Sequence, residues 1–171
     1  SLISAAAFGW GAEATGMLVV GRGNQAENAG EVVAFADGTG ARAVGVALLV
    51  GNAGKNPDNT VVRFTNARSG IVGAVAEGED SSAVGVYVDV LPGVENVASV
   101  EIVNEGIVIG GIQVGPAGPD TSIELGEESE TRGDVVLGGG NNEVTIWAGA
   151  VVRGAVDGGY NADSETQKSH L

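Results

Sequence analysis

Three stretches of this chain repeat one phrase: Val62–Val75 reads VRFTNARSGIVGAV, Val100–Ile112 reads VEIVNEGIVIGGI and Val144–Val156 reads VTIWAGAVVRGAV. Each is a short β-prone run, a break of small or polar residues, and a second run with a glycine near its end. Ala43-Val44-Gly45-Val46 and Ala83-Val84-Gly85-Val86 form a second shared phrase, 40 positions apart. A recurring strand–turn–strand unit without a nucleophile, base or metal ligand points to a structural protein. Duplication of one unit and convergence of Val/Gly-rich strands both account for the likeness. The unequal spacing of the copies argues against a strict solenoid.

Glycine supports the same reading. There are 30 among 171 residues, far above the usual ~7%, and glycine at that density disfavours long helices and marks turns and close backbone approaches. Strands are expected over Met17–Val20, Glu31–Ala36, Ala43–Val50, Val61–Thr65, Ile71–Ala76, Ala83–Val90, Ser99–Val103, Ile107–Val114, Val135–Leu137, Val144–Trp147 and Ala150–Val156. Asp37-Gly38 and Ser69-Gly70 read as hairpin turns. The expected fold is therefore all-β, a compact antiparallel barrel or sandwich. It would carry a flexible N-terminal arm (residues 1–16), a β core (17–118), an appended β-hairpin region (119–157) and a polar C-terminal tail (158–171). The stretch Gly115–Gly133, with two prolines and a dense acidic run, reads as an exposed loop or joint.

Charge narrows the partners. Twenty-two acidic against eight basic residues give a net charge of −14. Such a surface repels phosphate backbones and anionic lipid, so neither direct nucleic-acid binding nor membrane association is expected. With no cysteine there is no disulfide framework. The first sixteen residues have no basic leader, so no signal peptide is expected, and no window is apolar enough for a transmembrane helix.

Candidate chemistry is sparse. Gly21-Arg22-Gly23-Asn24-Gln25-Ala26 imitates a dinucleotide-binding fingerprint, but Glu27-Asn28-Ala29-Gly30 continues into a turn and not the helix that the pyrophosphate requires. His170 is the only histidine, which argues against a Ser-His-Asp or His-based metal site. Asp157–Asp163 offers oxygen ligands without the full set of a calcium loop. No catalytic residue, cofactor or metal is expected, and the chain reads as a non-enzyme. The aromatics are the remaining candidates. Phe8 and Trp10 are the only bulky groups of the arm and would anchor it on a partner. Phe35, Phe64 and Trp147 suit either a core or a subunit interface.

Residues 33–46, VAFADGTGARAVGV, resemble the head decoration (cement) proteins of the lambda phage type. In that family an aromatic two residues after a Val leads to an Asp-Gly-Thr turn and then to Ala-Val-Gly and an aliphatic. Val33, Phe35, Asp37-Gly38-Thr39 and Ala43-Val44-Gly45-Val46 match that pattern. Val62-Arg63-Phe64 followed by Ser69-Gly70 is similar to the family's next hairpin. The likeness covers about residues 31–75. It implies a non-enzymatic virion protein on the capsid exterior, a homotrimer at three-fold sites bound to the major capsid protein, with its arm ordered on the shell. The alternative is another structural β module of a virion or surface layer, such as a tail, spike or fibre component.

Overall fold

The computed structural model describes residues 1–52, 60–95 and 97–158, and among them there is no helix. The first coil comprises β1 (Leu2–Phe8), β2 (Glu13–Gly21) and β3 (Gln25–Asn28). The second comprises β4 (Glu31–Asp37), β5 (Arg42–Val50) and β6 (Val62–Asn66); the third, β7 (Ile71–Glu77), β8 (Ser82–Val90) and β9 (Val100–Asn104). The fourth holds β10 (Ile107–Ile109), β11 (Ile112–Val114) and β12 (Thr121–Leu125). The fifth holds β13 (Glu130–Arg132), β14 (Val135–Val136) and β15 (Asn142–Ile146), and the last described elements are β16 (Val151–Arg153) and β17 (Val156–Asp157).

Each strand from β1 to β14 pairs in parallel with the strand three places on in the chain. Sheet A runs β1-β4-β7-β10-β13-β16, sheet B runs β2-β5-β8-β11-β14-β17, and sheet C runs β3-β6-β9-β12-β15. The chain thus winds as a three-sided parallel β-solenoid, each coil resting on the one before. This corrects the expected antiparallel barrel or sandwich. It also corrects the inference that unequal spacing excludes a solenoid. Leu2↔Glu31, Glu31↔Ile71, Ile71↔Ile107 and Glu130↔Val151 are all in register although their sequence separations differ. The extra residues lie between the strands and leave the register intact.

Hairpin signals failed for an identifiable reason. The Gly38 amide donates to the Glu77 carbonyl, and the Gly9 amide to the Asp37 carbonyl. The turns therefore bond to the equivalent turn of the next coil, and each re-aims the chain into another sheet. Parallel sheets are usually covered on both faces and read as continuous apolar runs. Here one face is solvated, so the alternation imitates an antiparallel sheet.

The N-terminal segment is no flexible arm. Leu2–Phe8 is paired with β4 along its whole length, because Ile3, Ala5 and Ala7 continue the inward row of Val32, Ala34 and Ala36. Nor is residues 119–157 an appended hairpin: β12 to β17 extend the three sheets in unbroken register. Within Gly115–Gly133, Thr121, Ile123, Leu125, Ser129 and Thr131 are buried while Glu127 and Glu128 face solvent. The tail from residue 159, His170 and most of Asp157–Asp163 lie outside the described residues, as does the greater part of the loop Gly51–Asn59.

Two cores fill the solenoid. The larger is aliphatic, built on Val32, Val46, Leu48, Phe64, Val72, Val86, Ile102, Ile112, Ile123 and Leu125. The second is made of alanine alone: Ala14, Ala34, Ala36, Ala41, Ala43 and Ala74, with Ala5, Ala7, Ala12, Ala76 and Ala83 against them. It lies where sheets A and B of the first three coils run on past the aliphatic core towards their connecting turns. A methyl-only filling brings the two sheets closer than the ~10 Å of ordinary stacked sheets, so this corner is a thin fin. Gly16, Gly45 and Gly85 mark its base. A Cβ on Gly45 would stand 2.8 Å from Val72 Cγ1 and 2.6 Å from the Gly85 carbonyl oxygen. The shared Ala-Val-Gly-Val phrases are therefore in register for packing reasons, with Ala43 on Ala83 and Val46 on Val86. From the fourth coil the sheet A and B strands shorten to two or three residues, and the fin ends.

Candidate functional surfaces

Three features of the solenoid go beyond packing: an internal amide ladder, an apolar outer face on sheet A, and a carboxylate-lined cleft on sheet C.

The ladder occupies the turn from sheet C back to sheet A. Asn28 Nδ2 donates to Asn66 Oδ1 at 3.0 Å, Asn66 Nδ2 to Asn104 Oδ1 at 2.8 Å, and Asn104 Nδ2 to Thr131 Oγ1 at 3.4 Å. All four side chains are buried. The turn backbone supplies the remaining partners: Asn28 Oδ1 accepts from the Gly30 amide, and Asn104 Oδ1 from the Gly106 amide. Buried amides need such complete pairing, and here the coil repeat provides it. Sequence reasoning missed the ladder, though Asn28, Asn66 and Asn104 recur at intervals of 38 residues. That spacing was the available signal.

On sheet A the outward positions of the first coils are apolar. Phe8 is 72% exposed, Leu2 64% and Val75 43%. Phe35 lies beside Phe8 with ring centroids 5.8 Å apart. Trp10, at the tip of the fin between β1 and β2, is 90% exposed. The expected anchors Phe8 and Trp10 are thus presented to solvent by a rigid fin. Asp37, Glu77 and Glu31 border this face. At its far end Arg132 and Arg153 both bond Glu130, at 2.9 and 2.6 Å. Those two hydrogen bonds, Arg132 first, hold the Glu130 carboxyl down to about 2.

The other aromatics separate. Phe64 is wholly buried, stacked with Ile102, Ile123 and Val144. The third copy of the repeat is displaced along the chain, so that Asn142, not Val144, pairs in line with Val62 and Val100. Trp147 follows the end of β15, is 49% exposed, and donates Nε1–H to Glu124 Oε1 at 2.7 Å.

The sheet C cleft has a volume of about 300 Å³ and is lined by Ser99, Glu101, Asp120, Ser122, Asn141 and Glu143 among others. Glu101, Ser122 and Glu143 are register neighbours on β9, β12 and β15. Two strand spacings, about 9.5 Å, therefore separate the outer carboxylates. Arg63 Nε already occupies Glu101 at 2.9 Å, and Asp120 Oδ1 accepts the Asn141 amide at 2.7 Å. On sheet B, Tyr87 donates to Asp89 Oδ2 at 2.6 Å while Arg42 lies over its ring. Burial, then the bond to Asp89, raises the phenol's pKa. Among the described residues no group of His, Cys, Asp or Glu is arranged to hold a metal. The dinucleotide-like phrase leads into β3: Gly21 and Gly23 adopt positive φ in the corner between β2 and β3, and no helix follows.

No protein family, curated protein or solved structure matches this chain.

Proposed function

We propose that this chain is a non-enzymatic structural module of a virion or surface layer, of the spike, fibre or tail kind. One observation carries the reading. All 17 described strands join a single axial stack whose inward positions are spent on aliphatic packing, alanine packing and the asparagine ladder. Such a body is a rigid spacer and a presenting surface. Stability in stacked repeats is close to a sum of coil terms and nearest-neighbour terms, so length is gained without redesign. The test is fractionation of native material with an antibody raised to the purified chain. We expect the chain in high-mass, pelletable fractions, with regularly spaced label in immunogold electron microscopy. Recovery only as free monomer would overturn the reading.

Capsid decoration is the second reading, favoured by Phe8 and Trp10. Large exposed aromatics on a rigid edge suit docking, since each adds apolar area at about 25 cal/mol per Å² buried. The resemblance phrase Val33–Val46 spans β4 and β5, which belong to different sheets, so the hairpin it implied does not form. A Phe8→Ala, Trp10→Ala double variant stays folded and fails to bind expanded capsids on this reading; unchanged binding rejects it.

A further inference from the structure

Sheet A turns an apolar face to water, but β12 and β15 of sheet C turn only polar side chains outward. Ser122 and Glu124 alternate along β12, and Glu143 and Thr145 stand beside them on β15. Asp120 and Asn141, just ahead of the two strands, extend the same columns. At the other end, past the last residue of β15, stands the half-exposed indole of Trp147.

The cleft of about 300 Å³ opens where these columns begin. Ser122 is exposed and lies in register between Glu101 and Glu143. A small side chain between two long ones leaves a hollow, and Val61 and Ser99 complete its lining. Sites carried on strands are held more exactly than sites on loops.

Three of the four carboxylates along this track are already engaged. Arg63 holds Glu101, the Asn141 backbone amide holds Asp120, and the Trp147 indole N–H holds Glu124. Each bond fixes the direction of its carboxylate and leaves lone pairs for a further donor. Arg63, Ser122 and Asn141 place donors among them. The set is therefore a row of oriented acceptors and donors rather than a nest of bare charges.

The bond that orients Glu124 also locks Trp147. A flat ring held in place, with part of its surface in water, is a plate for an apolar ligand face. Ser122 to Glu124 is about 7 Å along β12, and Glu143 to Trp147 about 13 Å along β15. Plate and cleft thus lie on one track. A sugar chain meets both halves, since its hydroxyls give and accept hydrogen bonds and its C–H faces stack on an indole. Anionic sugars do not fit, because carboxylates line the track and the chain carries −14.

We propose that this face of sheet C binds a neutral oligosaccharide, with one ring stacked on Trp147 and another hydrogen-bonded in the hollow over Ser122. The site binds without cleaving. An inverting pair needs one carboxyl to protonate the leaving oxygen and another to activate water, and Glu101 is committed to Arg63. The inference holds whichever assembly the chain serves, and its test uses the isolated protein.

The probes are neutral hexasaccharides of glucose, of mannose, of galactose and of N-acetylglucosamine, titrated into the intact chain. Affinity is read by calorimetry and the indole N–H resonances by NMR. At least one hexasaccharide should bind saturably, move the Trp147 resonance while leaving that of Trp10 in place, and bind equally well when sodium chloride is raised. Trp147→Ala should weaken that ligand about tenfold, the worth of a stacked ring. Ser122→Leu fills the hollow from an exposed position, so it should keep the thermal midpoint and lose the ligand to a similar degree. A hexuronate of equal length should bind at least about tenfold more weakly. Binding by none of the neutral sugars overturns the proposal, as does binding that both substitutions leave intact or that moves Trp10 alone. Tighter, salt-sensitive capture of an oligolysine peptide would make this a basic-peptide site and overturn it too. Release of shorter sugars would overturn the claim that the site does not cleave.

Discussion

Single residues set the tolerance of this fold. Asn66 is fully buried, donates to Asn104, and accepts from Asn28. Asn66→Ala strands one donor and one acceptor inside the stack. It should cost about 2–6 kcal/mol, at ~1–3 per unsatisfied group, read from urea unfolding against wild type. Glu130 makes stability depend on acid. Its folded-state pKa is about 2 against an ordinary 4.5, so its contribution is complete above about 4.5 and is lost as pH falls towards 2. Glu130→Gln should therefore flatten the fall of the thermal midpoint across that window and leave neutral pH almost unchanged. An equally steep acid limb in the variant would show that Glu130 is not the group responsible. The turn at the fin tip repeats a backbone requirement: Gly11, Gly40 and Asp80 occupy one left-handed column, at φ +63, +70 and +56. Aspartate is among the few side chains that accept it.

At the scale of elements, strand identity was legible and pairing was not. The alternation in Glu31–Asp37 and the apolar run Arg42–Val50 put those strands almost where they form. β1, β3, β12 and β13 were missed. Leu2–Phe8 is rich in alanine, whose intrinsic strand preference is low; it is a strand because β4 offers a template. Thr121–Leu125 was hidden among acidic residues that occupy only its outward positions. Direction was illegible because a one-sided parallel coil and a hairpin share the same period of two. Of the candidate site residues, the exposed aromatics Phe8 and Trp10 were visible as large side chains in a plain segment. The asparagine ladder was invisible without a register to align it. The fin makes its own prediction. Ala74 is 3% exposed between sheets A and B, with no room for branching. Ala74→Leu should destabilise by about 1–3 kcal/mol through overpacking, measured by chemical denaturation. A neutral result would mean that the sheets can part there.

For the whole molecule, the parallel stack concentrates like charge. Asp37 and Glu77 are direct neighbours across β4 and β7, and the chain carries −14 overall. Carboxylates repeated at the strand spacing repel within the ~8 Å Debye length of physiological salt. The thermal midpoint should therefore rise with sodium chloride, steeply at low ionic strength and then level off. A midpoint falling with salt would show that the arginine–glutamate pairs dominate. The constant interval of the ladder has a further consequence. Asn28 to Asn66 and Asn66 to Asn104 are each 38 residues, so the molecule carries a ruler. Excising residues 29–66 would set Asn28 directly upon Asn104 and restore every inward column, leaving a shorter rod of the same cross-section. Removing half that length would misplace them all. Variation within the strands of such a chain is quantised, growing or shrinking by whole turns of the winding, while the loops between strands already differ in length from coil to coil.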